Sequence, residues 1–459
     1  MTDNYTLSIS EYIVLGRVNS ARYNTPQKEL HMKVTARNVE FKSEKVMNVC
    51  VDVHKETLYF LARLENYEIS DICNNSNRKI FTQLSLFRKE AEKRGIKNIR
   101  VVCEPTGLYD RKLLRTAHKM GIKTSYVNTE NVCRYRQIET NDNGKTDTKD
   151  PKVIASLAEQ GKLLKIRNLS PKYLTLRKLG SIAERLEIDI VRWKGYLHKN
   201  ILELFCEYDM DKEFLFSEIG EAFMKYYSCN PYRIVQSGYK RFEKKMRTVK
   251  FIRTKTIDRL WNYAETSVLH ELPEEYIECF EEDIKGIYRT LTQLIKRKNK
   301  IEEKMISVLN ELREEDPNIP PPTPEVISEK NMAKLLAETG PLSDFQHWRQ
   351  LLRYGGLNLR ERASGTYTGQ TKIAKKGRRR LRKVLGNIVL PLVPRHKLYG
   401  EFYHSKKDNA KMPGSKAMTV TMRNFLRKFF GWYKAGGGEF DKERWFICKS
   451  QYVILQKTA

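Results

Sequence analysis

The stretch Val46–Glu65, VMNVCVDVHKETLYFLARLE, decides the reading of the chain. VMNVCVDV is an unbroken apolar run short enough to be one buried strand. ETLYFLARLE predicts a second strand, hairpinned to the first through His54 and Lys55. Downstream, IFTQLSLFRKEAEKRG (residues 80–95) has helical spacing and stops at Gly95. NIRVVCEP (98–105) is another buried-type strand, YDRKLLRTAHKMG (109–121) a helix and IKTSYVN (122–128) a further strand. Strand, hairpin, helix, strand, helix, strand predicts an α/β unit whose sheet is at least partly parallel.

Upstream, residues 1–44 are polar and without period, an extension of unknown role. Residues 151–205 read as helix and 206–270 as irregular but mainly helical. Residues 275–313 predict one long charged helix. Its stripe of Ile277, Phe280, Ile284, Ile287, Leu291, Leu294, Ile295, Ile301, Met305, Val308 and Leu312 suits a coiled-coil or bundle arm and self-association. DPNIPPPTP (316–324) forbids helix and predicts an extended spacer. A basic helical region follows, and glycines 436–438 precede a short tail. The expected division is 1–44 extension, 45–165 α/β domain, 166–315 helical arm, 316–326 linker, 327–440 basic helical domain and 441–459 tail.

The 85 Lys and Arg outnumber the 56 Asp and Glu, a net charge of +29. An ordinary metabolic enzyme does not need that excess; a polyanion does, because each Lys or Arg that meets a phosphate releases condensed counterions. The eight cysteines form no CxxC pair, which argues against zinc knuckles and redox motifs and suits reduced, mostly buried thiols. The chain shows no signal-peptide pattern and no apolar run near the ~20 residues of a membrane span. A cytoplasmic, nucleoid-associated location without membrane contact is expected.

Four acids stand where chemistry can be built. Asp52 ends the first strand, Glu104 ends a later and non-adjacent strand, and Asp147 and Asp150 lie in GKTDTKDPKVIASLAEQG (144–161) at the approach to a helix. Asp150 before Pro151 reads as an N-cap with proline at the first helical position. Clustered carboxylates repel one another unless a cation compensates them, and an all-oxygen donor set suits Mg²⁺ or Mn²⁺ and not zinc. Further on, Arg360, Arg362, Lys372, Lys375, Lys376, Arg378, Arg379, Arg380, Arg382 and Lys383 form a dense basic segment with Glu361 as the only acid within it. Tyr354 and Tyr367 flank it, and such density suits phosphate binding. Ser364 precedes Gly365 in an expected turn. His347 and His396, the nearest histidines, have no spacing that argues for a triad. His54 and Lys55, next to Asp52, are placed to touch a phosphate or simply to cap a surface turn.

These stretches resemble the insertion-sequence-110 family of transposases. The resemblance rests on VDVHKETLYF, CEPTGLYDRKLL and KTDTKDPKVIASLAEQG in the first half. In the second it rests on LLAETGPLSDF, LLRYGGLNLRERASGT and IAKKGRRRLRKVL. It covers about residues 45–435. It implies an RNase H-like (RuvC-like) domain with Asp52, Glu104, Asp147 and Asp150 as a DEDD metal site. It further implies a C-terminal domain whose Ser364 becomes covalently joined to DNA, a structured guide RNA as partner, and a homodimer or homotetramer. Three features depart from the family pattern: the run Pro320–Pro322 stands in place of a glycine-containing hairpin, Pro151 in place of a small residue, and the extension 1–44 has no counterpart. The rival readings are a RuvC-like nuclease or junction resolvase that uses water, and a nucleic-acid-binding protein with an inactive site.

Overall fold

The computed structural model describes residues 46–64, 67–140, 149–268, 272–323, 326–360, 363–364, 367–369 and 371–438. The expectations for 1–44, Asp147, Arg362 and the tail lie outside them. The chain divides into two compact units, Met1–Arg167 and Asn168–Ala459.

The first unit is a mixed sheet between helices. In chain order it contains β1 (Val46–Val53), β2 (Thr57–Leu64), β3 (Tyr67–Asn74), α1 (Asn77–Lys93), β4 (Asn98–Cys103), α2 (Arg111–Lys119), β5 (Lys123–Val127), α3 (Thr129–Thr140), α4 (Lys149–Glu159) and β6 (Leu163–Lys165). The sheet order β3-β2-β1-β4-β5-β6 is RNase H-like, with β1, β4 and β5 parallel and the others antiparallel. β1 is apolar without alternation because both faces are covered. Met47, Val49, Val51 and Val53 pack with α1 and α2, while Cys50, Val102 and Val127 meet Val132 of α3 and Val153, Ile154 and Leu157 of α4. Ser76 caps α1 by accepting from the Lys79 amide, and Gly95 at φ +70° lets the chain leave it.

The structure corrects several expectations here. β3, an exposed and polar edge strand, had no apolar signal to find. Residues 151–205 are not one helix: the chain leaves α4, forms the short strand β6 and enters a new helix. β4 is hydrogen-bonded directly to β1, so Glu104 follows a strand adjacent to that of Asp52.

The second unit is helical. α5 (Pro171–Leu204) is followed by α6 (Glu218–Tyr227), α7 (Pro231–Ser237), α8 (Tyr239–Met246) and α9 (Thr254–Ser267), then by α10 (Glu274–Glu315). After these come α11 (Glu329–Thr339), α12 (Trp348–Tyr354), β7 (Leu359–Arg360), β8 (Ala363–Ser364), β9 (Tyr367–Thr368), β10 (Lys372–Ile373), α13 (Arg379–Val389), α14 (Leu392–Arg395), α15 (Lys397–His404) and α16 (Gly414–Lys434). α5 and α10 pack along each other and thread two cores. At one end, Ile190, Leu197 and Ile201 of α5 and Phe280, Ile284 and Leu291 of α10 meet α6–α9. At the other, Leu176 and Ala183 of α5 and Met305, Leu309 and Leu312 of α10 join α11–α16. The apolar stripe of α10 is therefore covered within the chain. The proline-containing segment is not a free spacer either. Ile319 is buried in the same core, Arg313 donates to the Pro320 carbonyl, and Tyr433 donates to Asp316. No helix among the described residues is long and apolar enough to cross a membrane. Of the described cysteines, Cys50, Cys103 and Cys229 are buried, whereas Cys133, Cys206 and Cys279 are exposed, so burial is less general than expected.

Candidate active site

Sheet register brings the acids together. Val51 of β1 pairs with Cys103 of β4, so the next residues, Asp52 and Glu104, leave the same sheet edge side by side. α4 packs on β1 and carries Asp150 in its first turn, where the helix N-terminus favours a negative charge. The helix starts at Lys149, so Asp150 is already helical and not the N-cap expected ahead of Pro151. Asp52 and Asp150 are buried, Asp150 to 3% exposure. Burial, then the Asp150 and Asp52 carboxylates, push the Glu104 carboxyl above its ordinary range; a hydrogen bond with Thr129 and the Arg136 charge oppose the rise. Three acids from β1, β4 and α4 thus share one electrostatic site.

Three further groups shape it that the sequence did not single out. Arg136 of α3 places Nη2 2.7 Å from Asp150 Oδ1, both side chains being largely buried. Asp150 Oδ1 nevertheless has no hydrogen bond of good geometry, so this is a close charge pair and not an aligned bond. Asn75 ties two loops together, donating to the His54 carbonyl after β1 and to the Tyr109 carbonyl in the loop after β4. Asp110, buried, accepts from the Thr106 amide and the Tyr126 hydroxyl and so fixes the EPTGLYD turn that starts at Glu104. Nothing in the pattern of the sequence marks Arg136, since a basic residue on a polar helix is ordinary. His54 Nε2 lies 3.0 Å from Asp52 Oδ2, and its ring meets Tyr59 edge to face. Lys55 beside it is exposed.

The oxygen-only donors, converging and poorly solvated, fit a hard divalent cation. Asp52, Glu104 and Asp150 would hold it, with Asp147 a further expected ligand outside the described residues. As placed, no three His, Cys, Asp or Glu side chains among the described residues already form a metal-holding set. The Arg136 guanidinium supplies the positive charge that Asp150 faces.

Ser364 lies in the second unit, in an interrupted hairpin. β7 pairs with β10 through Arg360–Lys372, and β8 with β9 through Ser364–Tyr367. Only residues 365 and 366 separate β8 from β9, so Ser364 stands at the hairpin's outer end. The two pairings differ in register by one residue. The base is pinched between glycines: a Cβ on Gly377 would meet the Gly356 nitrogen at 2.4 Å and the Tyr354 carbonyl oxygen at 2.5 Å. Arg382 closes the base by donating to the Gly355 carbonyl.

The basic segment is less uniform than its sequence suggests. Glu361 is not its only opposing acid: Arg378 bonds the buried Glu338, Arg380 pairs with Glu184, and Lys383 approaches Glu184 and Glu187 of α5. Arg360, Lys372, Lys375, Lys376 and Arg379 are exposed.

Comparison with protein-family models matches residues 49–206 to the DEDD transposase model of the IS110 group and residues 324–404 to the model described as Transposase IS116/IS110/IS902 family. A comparison with curated proteins found no match. The two family matches together take in more than half of the chain, and each falls on the half where the corresponding acids or serine lie. The chain belongs to the IS110 family of transposases, DNA-cleaving enzymes that bind DNA, with a DEDD domain at its N-terminal side and a Transposase_20 domain at its C-terminal side.

Proposed function

We propose that Asp52, Glu104, Asp147 and Asp150 hold Mg²⁺ or Mn²⁺, and that Ser364 is the nucleophile of strand cleavage and rejoining. The observation that carries this reading is the convergence of Asp52, Glu104 and Asp150 on one sheet edge, where burial and then the Asp150 and Asp52 charges push Glu104 up. A bound divalent cation supplies Lewis acidity at the scissile phosphate and lowers the pKa of a hydroxyl bound to it. The protein's own contribution is placement. β1, β4 and α4 fix the carboxylates, Asn75 and Asp110 stiffen the loops that carry them, and Arg136 balances their charge. Ser364 Oγ attacks phosphorus, the phosphoserine bond forms as the bond to the departing sugar oxygen breaks, and the bond energy is kept for rejoining.

The charge of +29 suits polyanionic partners, and beside DNA we assign such a role to a structured guide RNA. Self-association into a homodimer or homotetramer would use the outer face of α5, where Ile188 and Val191 are exposed, because the α10 stripe is already covered. Domain limits near 45–165, 166–315 and 327–440 remain our division of labour for catalysis, arm and serine.

One observation favours a second reading: His54, hydrogen-bonded to Asp52, is a candidate base for hydrolysis by water. A Ser364→Ala variant separates the two. With end-labelled donor DNA and Mg²⁺, our reading expects loss of both strand transfer and the denaturant-stable protein–DNA adduct. Nicking that persists without an adduct supports the hydrolytic nuclease, and a full complement of transfer products eliminates Ser364 as nucleophile.

A further inference from the structure

Beside the base of the serine hairpin, the second unit contains an open cavity of about 1170 Å³. One wall is the hairpin, through Arg360, Lys372 and Lys375. The facing wall is α16, whose Lys416, Thr419, Val420 and Arg423 follow one another at helical spacing along one face. A separate stripe of α16, including Phe425, Leu426 and Phe429, is buried in the core, so the cavity face is not needed for packing. Five cations and no acid stand among the described lining residues.

Arg423 is the unusual member. Its Nε is buried with no hydrogen-bond partner, and burial holds its guanidinium below the ordinary arginine range. Elsewhere in this unit partly buried guanidinium groups are answered, Arg378 by the Glu338 carboxylate and Arg177 by the Ala337 and Glu338 carbonyls and the Tyr354 hydroxyl. An unanswered, partly desolvated guanidinium costs stability and is best explained by an anion that completes it on binding. The planar fork of arginine suits a phosphate held through two oxygens.

We propose that this cavity is a phosphate-binding site for the DNA backbone, with Arg423 as its clamp. The distance to the chemistry follows from the hairpin and rests on the assignment of Ser364 as nucleophile. Arg360 lies four residues before Ser364 in the sequence, a span of at most about 14 Å of backbone. At about 3.4 Å of rise per nucleotide, the site holds the backbone within roughly four nucleotides of the attacked phosphorus. DNA is chosen over RNA because the cavity and Ser364 share one short hairpin and therefore one strand of substrate.

The test uses the full chain in EDTA, so that binding is read without cleavage and does not depend on what Ser364 does. Fluorescence anisotropy with labelled DNA across a salt series compares the wild type with Arg423→Met and Arg423→Lys. We expect Arg423→Met to weaken binding about 10-fold and to lower the slope of log K against log salt by about one. Arg423→Lys should keep the slope with an intermediate affinity. The thermal midpoint of Arg423→Met should be equal to or above that of the wild type, because a poorly partnered cation is removed. A neutral methylphosphonate at one position within roughly four nucleotides of the cleavage point should abolish the difference between wild type and Arg423→Met. Unchanged affinity and slope overturn the proposal, as does a loss of binding accompanied by a fall in thermal midpoint, which marks Arg423 as structural. A loss confined to an RNA of the same sequence overturns the choice of DNA. A methylphosphonate effect at some other position, with the affinity loss intact, leaves the clamp in place and refutes the Ser364 distance.

Discussion

Replacing Arg136 with methionine tests how the acidic site is held together. The guanidinium is 2.7 Å from Asp150, whose side chain is 4% exposed, and it also opposes the rise at Glu104. Methionine keeps much of the stem's volume and removes the charge. Breaking a buried pair by deleting one partner costs about 3–5 kcal/mol. Since the contact lacks an aligned hydrogen bond to Asp150 Oδ1, we take the lower end, about 3 kcal/mol. For a unit of this size that is a fall of about 10 °C in the midpoint of the first transition, measured in EDTA by differential scanning fluorimetry. A divalent cation would then replace the missing charge. At a hundred times its dissociation constant a ligand adds about 2.7 kcal/mol. Mg²⁺ should therefore restore most of the loss in Arg136→Met and stabilise the wild type by less, because there it competes with the guanidinium. An unchanged midpoint in EDTA refutes the charge-pair argument. An equal fall with and without Mg²⁺ refutes the idea that arginine and metal balance the same carboxylates.

Three other outcomes follow from the geometry. Glu104 has a folded pKa above its unfolded value, so the native state binds the extra proton. Stability then falls as pH rises from the ordinary glutamate value, near 4.3, through the raised folded value, and Glu104→Gln should flatten that decline in metal-free urea titrations. Gly377→Ala forces a Cβ into the Gly356 and Tyr354 backbone at φ +155°, and should cost about 3 kcal/mol or more in chemical denaturation while abolishing strand transfer; wild-type stability would show that the glycine contact is not needed. A double Ile188→Glu, Val191→Glu variant should shift the light-scattering mass of the RNA-free protein toward the monomer, whereas an unchanged oligomer would place the contact on another surface.

How much of this was legible in the sequence depended on whether a residue's partner lay nearby in the chain. β1, β4, α1 and α2 were readable because a buried central strand is apolar throughout and a surface helix repeats its apolar face. β3 was not, because an edge strand that lays only Ile69 and Cys73 on the core has too little apolar period to display. The stripe on α10 was correctly seen as a packing face, but a stripe does not name its partner, and α5, about a hundred residues earlier, takes much of it. Proline in 316–324 ruled out helix as expected, yet the backbone that proline stiffens is pressed into the core through Ile319. The acids that answer Arg378 and Arg380 come from α11 and α5, so local charge counting missed them. Strand ends pointed to Asp52 and Glu104, but only the sheet order shows that β1 and β4 are neighbours. Arg136 carried no signal, because its role exists only once α3 and α4 pack side by side.

The most direct test of the account is crystallographic: crystals grown without divalent metal, then soaked in Mn²⁺ and measured at its absorption edge. The expected result is an anomalous peak bounded by carboxylate oxygens of Asp52, Glu104 and Asp150, with the Arg136 guanidinium drawn away from Asp150. Manganese bound elsewhere, with the Arg136–Asp150 pair intact and no peak at the sheet edge under saturating metal, would contradict it.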